Sequence, residues 1–320
     1  ATKLAPALAA GCSAIFELGK LIEQAEFPKG VVSIVTGDAE NCSAPLTSHP
    51  DIDRIAFTGG TETAKKIIQN SANNFAATNL ELGGKSPLII FEDADLESAA
   101  NGIIAGNFGA SGQSCVAGSR VIVHESIAQK LMEIIKLKSQ SIIVGDPLNV
   151  ETHLGPLCTS KQIQTIEKII AQSIEQGGEI IFGGKKIERE GNYFQPTLIH
   201  CPTQNIETLK IEMFGPVISM IEFNNERDAI QIANDSKYGL GSGLFTKDLS
   251  RAHRVSQEIK AGICWVNTYR AISPIAPFGG FNQSGYAREG GKQAILDYTR
   301  TKTTWINTSD DPMINPFIMR

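Results

Sequence analysis

A chain of 320 residues, 42% hydrophobic and 20% charged, is long enough for a substantial core and for about two domains of roughly 150 residues each. Its net charge of −5 is spread over interleaved acids and bases with no basic run, which argues against nucleic acid or an anionic membrane surface as a partner. No stretch approaches ~18 consecutive apolar residues, so no membrane span is expected.

The opening run ATKLAPALAAGCSA is apolar but short, and it lacks the charged start of a signal peptide; it reads as a buried element. VVSIV (31–35) and RIAF (54–57) are rich in β-branched residues and end in polar or glycine turns, as buried parallel strands do. TETAKKIIQNSAN (61–73) predicts a helix capped by Thr61, with Ala64, Ile67, Ile68 and Ala72 on one face. Strands follow at 78–82 and 86–91, then a helix from about Asp95 to Phe108 opened by DADLES. RVIVH (120–124) reads as a strand. Two amphipathic helices over 126–142 and 160–178 come next, the second stopped by a glycine pair. The later strands are EIIF, TLIH, VISMIEF, GSGLFT and ICWVN, with helices at 225–235 and 248–260 among them. A glycine-rich loop over 277–291 and a final helix lead to TTWIN (303–307). Strand alternating with helix predicts an α/β fold, a mostly parallel sheet with crossover helices.

Six cysteines, Cys12, Cys42, Cys115, Cys158, Cys201 and Cys264, are widely spaced with no C-x-x-C pair. That pattern suits reduced thiols in a cytoplasmic protein and offers no zinc-type spacing, so no metal is expected.

Three stretches could carry chemistry. AFTGGTETAKK joins a strand to a helix through a glycine turn, where free backbone N–H groups and the helix dipole converge on one spot. It matches neither G-x-G-x-x-G nor the Walker pattern, and such a turn alone is more often structural. In LELGGKSP, Glu81 stands near a strand end and could act as a base if burial lifts its pKa; the plainer reading is a salt-bridged surface glutamate. In GASGQSCVAGSR, Cys115 sits among small residues rather than the branched apolar ones that surround a packing cysteine. No histidine is near it in sequence, so a Cys–His pair gets no specific support.

Co-occurrence changes the weighing. FTGGTE, ELGGKSP, GQSCVAGSR, EMFGPV, YGLGSGLFT, GICWVN and PFGGFNQSGYAREGG appear in this order, and with them the chain resembles the NAD(P)-dependent aldehyde dehydrogenase superfamily almost from end to end. The resemblance implies an aldehyde-dehydrogenase-like fold: a parallel-sheet, Rossmann-like cofactor domain, an α/β catalytic domain and a C-terminal oligomerisation strand. Residues 1–83 would be part of the dinucleotide-binding domain, 84–283 the catalytic domain, and 284–320 a return to the cofactor domain and an oligomerisation tail. Cys115 would be the nucleophile that forms a thiohemiacetal and then a thioester, with its own backbone N–H in the oxyanion hole. Glu81 would activate the hydrolytic water. Glu212 would hold the nicotinamide ribose and Phe214 pack near the nicotinamide ring. Gly59 and Gly60 would form the pyrophosphate turn, although many relatives carry serine where Gly60 stands. Leu82 and Gln162 would also belong to the cofactor site, Gln162 on the adenine side. Tyr269, Phe108 and the loop around Ser114 and Val116 would shape the substrate pocket. The implied cofactor is NAD, with NADP possible; the partners are a small aldehyde and a second copy of the chain, as a homodimer or homotetramer.

The sequence departs from the family in two places. The proline–tryptophan–asparagine segment that completes the oxyanion hole is not in it. The lysine–proline–serine–glutamate segment that reads the adenosine ribose is missing between Ala14 and Ile15. A chain lacking both is expected to be weak or inactive alone. Two other readings stand beside the dehydrogenase. One is an aldehyde dehydrogenase that acylates coenzyme A, against which Glu81 argues; the other is a non-catalytic structural or binding member.

Overall fold

The structure is a computed structural model and describes residues 14–318; the opening apolar run up to residue 13, with Cys12, lies outside the described residues. Two sheets organise it. The larger has seven strands in the order β5-β6-β7-β4-β3-β8-β9. Its strands are β3 (Pro87–Ile90), β4 (Arg120–His124), β5 (Glu179–Phe182), β6 (Thr197–His200), β7 (Val217–Phe223), β8 (Gly241–Phe245) and β9 (Ile263–Val266). All pairings are parallel except β5 against β6, where EIIF turns back antiparallel at the sheet edge.

The alternation of side chains along each strand divides the core in two. Ile89, Phe91 and Ile122 face one layer with Ile166, Ile170, Ala229 and Val255, which come from three helices, Ser160–Glu175, Glu226–Asn234 and Leu249–Glu258. Their neighbours Leu88, Ile90, Val121 and Val123 face the other, with Ile103, Leu131 and Ile135 from helices Leu96–Phe108 and Glu125–Gln140. Each of these side chains is essentially out of water, and burial of that kind contributes about 1.5–3 kcal/mol per residue. Phe108, expected at the substrate pocket, is 2% exposed in the second layer; it is core. Asp95 caps its helix as expected, its carboxylate accepting from the Ser98 N–H at 2.8 Å.

The smaller sheet has the order β1-β2-β10, from β1 (Arg54–Thr58), β2 (Ala77–Glu81) and β10 (Gly285–Tyr286). β1 and β2 are parallel; β10 rises from the glycine-rich loop and lies antiparallel to β2, with Gly285 opposite Glu81. Three expectations change here. VVSIV is not a strand: it lies outside every ladder among the described residues, and Val31 and Val35 are well exposed. β-Propensity needs a partner edge before it becomes a strand. Thr61 is the first residue of the helix Thr61–Ser71 rather than its cap; extended Gly60 holds the cap position and offers no side chain. The inward face of that helix is Ala64, Ile67 and Ser71, while Ile68 is 42% exposed. TTWIN pairs with no strand of its own chain among the described residues, and Trp305 is 93% exposed.

Candidate active site

The strip Glu81–Lys85 runs from the end of β2 to the start of β3 and so links the two sheets. Ligands of open α/β sheets gather at the carboxyl ends of parallel strands, and Glu81 is the last residue of β2. The glycine-rich loop clamps this strip. The Leu82 N–H donates to the Ser284 carbonyl at 3.0 Å, and the buried Ser284 hydroxyl donates to the Gly83 carbonyl at 2.7 Å. Glu81 is thereby enclosed: it is 5% exposed, and neither carboxylate oxygen has a partner in the protein. Burial first, then repulsion from Glu289, pushes its carboxyl up to about 8, against the pull of Arg288. The surface salt-bridge reading of Glu81 is excluded by that enclosure.

Cys115 arrives on a segment with unusual backbone. Ala110, Ser111 and Gly112 all have positive φ, at 56°, 55° and 73°. Such strain persists only where the surroundings hold it. Here the Ser111 hydroxyl donates to the Gly155 carbonyl at 2.9 Å, and Gln113 accepts from the Cys158 N–H at 3.0 Å. Gly112 is pressed so closely onto the Gly215–Pro216 backbone that a Cβ would overlap it. Beyond the cysteine, the Tyr269 hydroxyl donates to the Val116 carbonyl at 2.9 Å. The small residues around Cys115 therefore serve close backbone packing: a Cβ at position 84 would stand 2.7 Å from the Cys115 carbonyl. The thiol is partly buried. Burial, then the charges of Glu212 and Glu81, push it up to about 11, while backbone hydrogen bonds at Cys115 and Val116 oppose the shift. Such a thiol is protonated at neutrality and needs a base to become a nucleophile.

Glu212 reaches the same strip from the opposite side. Its carboxylate accepts the Gly84 N–H at 3.0 Å and lies so close to Gly83 that a Cβ there would overlap it. Burial pushes it up to about 7, against the Gly84 hydrogen bond, Lys85 and Lys237. Phe214 follows with φ of 46° and 40% exposure, and it lines a small cavity with Gly84, Ser114 and Glu212; it is not plain core. The Gln162 amide donates to the Met213 carbonyl, so its side chain braces this loop. Leu82 is buried beneath the strip. The Gly59 N–H donates to the Glu81 carbonyl at 3.1 Å, and Gly60 is exposed with open space around it.

These residues suit a dinucleotide. The helix Thr61–Ser71 starts with no side-chain cap, leaving backbone donors for a pyrophosphate. Glu212 has a second carboxylate oxygen beyond the one that accepts from Gly84 and suits vicinal hydroxyls. Sequence reasoning missed Lys85 and Ser284, both buried polar residues, the first at the end of this strip and the second clamped against it. A lysine in the otherwise apolar opening of a strand, GGKSPLII, was the available signal for the first.

Among the described residues no cluster of His, Cys, Asp and Glu could hold a metal ion, and no helix is long and apolar enough to cross a membrane. The aldehyde dehydrogenase family profile matches residues 1–304. The chain is 48% identical to (Z)-2-((N-methylformamido)methylene)-5-hydroxybutyrolactone dehydrogenase of Acinetobacter baylyi, over all of this chain and 68% of the relative. It is 39% identical to the betaine aldehyde dehydrogenase of Vibrio vulnificus, over 95% of this chain and 65% of that protein. An NAD+ complex of the Bacillus cereus aldehyde dehydrogenase superposes with a TM-score of 0.88 at 39% identity, covering 91% of this chain and 59% of that one. The chain thus spans about two thirds of the length of the relatives it matches. The alignment with the Acinetobacter protein runs over 332 positions, 12 more than the 320 residues here, so that relative carries residues inside the matched span that this chain does not. The chain belongs to the aldehyde dehydrogenase family.

Proposed function

We propose that this chain carries the catalytic machinery for oxidising an aldehyde to a carboxylic acid with NAD, NADP being compatible. The observation that supports it best is the enclosure of an unpaired base, Glu81, within electrostatic reach of the buried thiol Cys115. In this reading Glu81 takes the thiol proton and Cys115 Sγ bonds to the aldehyde carbon, giving a thiohemiacetal. The Cys115 backbone N–H stabilises the oxygen as it becomes negative. NAD, when bound, accepts the hydride lost from that carbon. Glu81, having released the thiol proton to solvent, then deprotonates the water that attacks the resulting thioester and passes that proton to the departing sulfur, so that Cys115 leaves as thiol with the acid released. Glu212 would hold the ribose hydroxyls, Phe214 flank the nicotinamide position, and the Gly59–Gly60 turn receive the pyrophosphate, with Leu82 beneath and Gln162 bracing the Glu212 loop.

The organisation follows. Residues 1–83 contribute to the cofactor domain, 84–283 form the catalytic domain, and 284–320 return to the first through β10 and continue as a tail. Trp305 and Ile306, both highly exposed, give that tail the apolar surface to join a second copy in a homodimer or homotetramer. A cytoplasmic location fits the thiol usage, although the aminoaldehyde dehydrogenases of Pisum sativum among its relatives are peroxisomal. Relatives named for betaine aldehyde and aminoaldehydes make small polar aldehydes the first substrates to try.

A second reading, a non-catalytic member of the family, has one observation in its favour: the strand-like VVSIV segment is unpaired. Intact mass of the purified protein, then thiol labelling and NADH formation from betaine aldehyde, separates the two. Fast, NAD-sensitive labelling of Cys115 together with turnover supports the dehydrogenase. Labelling of Cys115 no faster than the other cysteines, with no turnover, supports the second reading.

A further inference from the structure

Lys85 is the buried charge that the chemistry above does not use. It is 1% exposed, and its Nζ has no hydrogen-bond partner in the protein. Its neighbour Arg120 is the contrasting case. That guanidinium is also buried, but it donates to the carbonyls of Lys85, Ile232, Ala233 and Asp235 and so closes the C-terminal end of the helix Glu226–Asn234. One cation is saturated; the one beside it is not. A buried ammonium without a partner is strongly disfavoured unless a counter-charge is near. Lys85 lines the small cavity that also holds Glu212, Ser114 and Ser119, and Glu212 is the sole carboxylate on its wall.

We propose that Lys85 is a positioning residue for the cofactor site: from across this cavity its amine holds the Glu212 carboxylate in the charged form that accepts hydroxyl hydrogen bonds. The proposal rests on the reading of Glu212 as a ribose-binding residue. The groups that bear on the pair are few. Lys85 is pushed down to about 7 by burial and by Arg120, and favoured in its charged form by Cys201 and Glu212. Glu212 is pushed up to about 7 by burial and drawn back by the Gly84 N–H, Lys85 and Lys237. Near neutrality the two therefore charge or discharge together, and an incoming diol that hydrogen-bonds to the carboxylate draws both into the charged form. Without the amine, Glu212 keeps its proton to higher pH and becomes a weaker acceptor.

The test uses the intact protein and its Lys85→Met, Lys85→Arg and Glu212→Gln variants. NAD binding is followed by calorimetry across the neutral and alkaline range, and iodoacetamide labelling of Cys115 is followed against pH without NAD. Lys85→Met is expected to bind NAD about 10-fold more weakly near neutrality and to recover as pH rises, because a neutral acceptor replaces a charged one. Lys85→Arg, which keeps the charge, should stay close to the parent. Without NAD, Cys115 in Lys85→Met should label faster than in the parent near neutrality, where the Glu212 charge that holds the thiol up is gone, and the two should converge as pH rises and Glu212 ionises. Glu212→Gln should show the same faster labelling near neutrality, whatever the folding of the lysine variant. Weakening of NAD binding by the same factor at every pH, or labelling profiles unchanged in Lys85→Met and Glu212→Gln, would overturn the proposal. A parent that binds no NAD while the labelling shifts appear would sink the cofactor reading and leave the Lys85–Glu212 coupling standing.

Discussion

The two sheets are built from the same strand–helix alternation and yet differ sharply in how they are packed. In the seven-stranded sheet β3 is buried at every position and both faces are covered by helices. In the three-stranded sheet β1 has no buried residue, and its own buried cluster is only Ala64, Leu80 and Leu82. What the smaller sheet does have is the candidate site strip, Glu81–Lys85. Glu81 lies at its end, clamped by Ser284 and β10 and coupled to Cys115, a residue carried by the larger sheet's side of the molecule. The candidate site thus lies at the joint between the sheets, while most of the buried apolar core belongs to the larger sheet.

That comparison can be broken at the joint first. Cys115→Ser should lower aldehyde oxidation by at least about 10³-fold with the melting temperature unchanged, since it removes the nucleophile and leaves the packing. Steady-state turnover beside a thermal scan checks both halves. Glu81→Gln should cost about 10²–10⁴-fold, the usual range for a general base, and the parent's activity should rise with pH through about 8. The same group carries a stability signature. Its carboxyl is raised from 4.5 to about 8 on folding, so between those values the folded state holds a proton that the unfolded state has lost. Stability therefore falls as pH rises through that window, and Glu81→Gln should flatten the fall. Melting temperatures recorded across that window decide it.

The packing contrast is tested by truncation. Ile122→Ala, at a fully buried position of β4, should destabilise by about 2–5 kcal/mol, whereas Val35→Ala, at a well-exposed position, should stay within about 0.5 kcal/mol. Equal effects in denaturant titrations would mean that the VVSIV segment is packed as tightly as the core of the larger sheet. The smallest expected effect is at the helix start below the glycine turn. Gly60 has backbone that any residue adopts and open space around it, so Gly60→Ser should add a cap worth a few tenths of a kcal/mol. Its hydroxyl should also tighten NAD binding by about two- to three-fold, within what one added hydrogen bond supplies. A loss of affinity on titration with NAD would show that the turn does not face the pyrophosphate.

Much of the architecture was legible because it is local. RVIVH is a strand at the expected residues, the DADLES opening starts its helix with Asp95 as the cap, and the glycine pair after residue 175 ends its helix as read. The failures share one cause. VVSIV has a strand's composition and no ladder to join. GY at 285–286, two residues inside a glycine-rich loop, becomes β10 only because the edge of β2 is there to receive it. Of the candidate site, Cys115 and Glu81 stood out in their local sequence and Glu212 entered only through the family resemblance, whereas Phe108 is core and Lys85 went unread.

By itself the sequence determined the α/β class and the place of most helices and core strands, since periodicity and residue chemistry are properties of short stretches. Only the tertiary structure decided which segments found partner edges. It also decided that Glu81 is enclosed rather than salt-bridged, and that Lys85 and Glu212 share one cavity. Burial and charge coupling depend on what distant segments bring close, and the distance from Lys85 to Glu212 along the chain says nothing of the space they share.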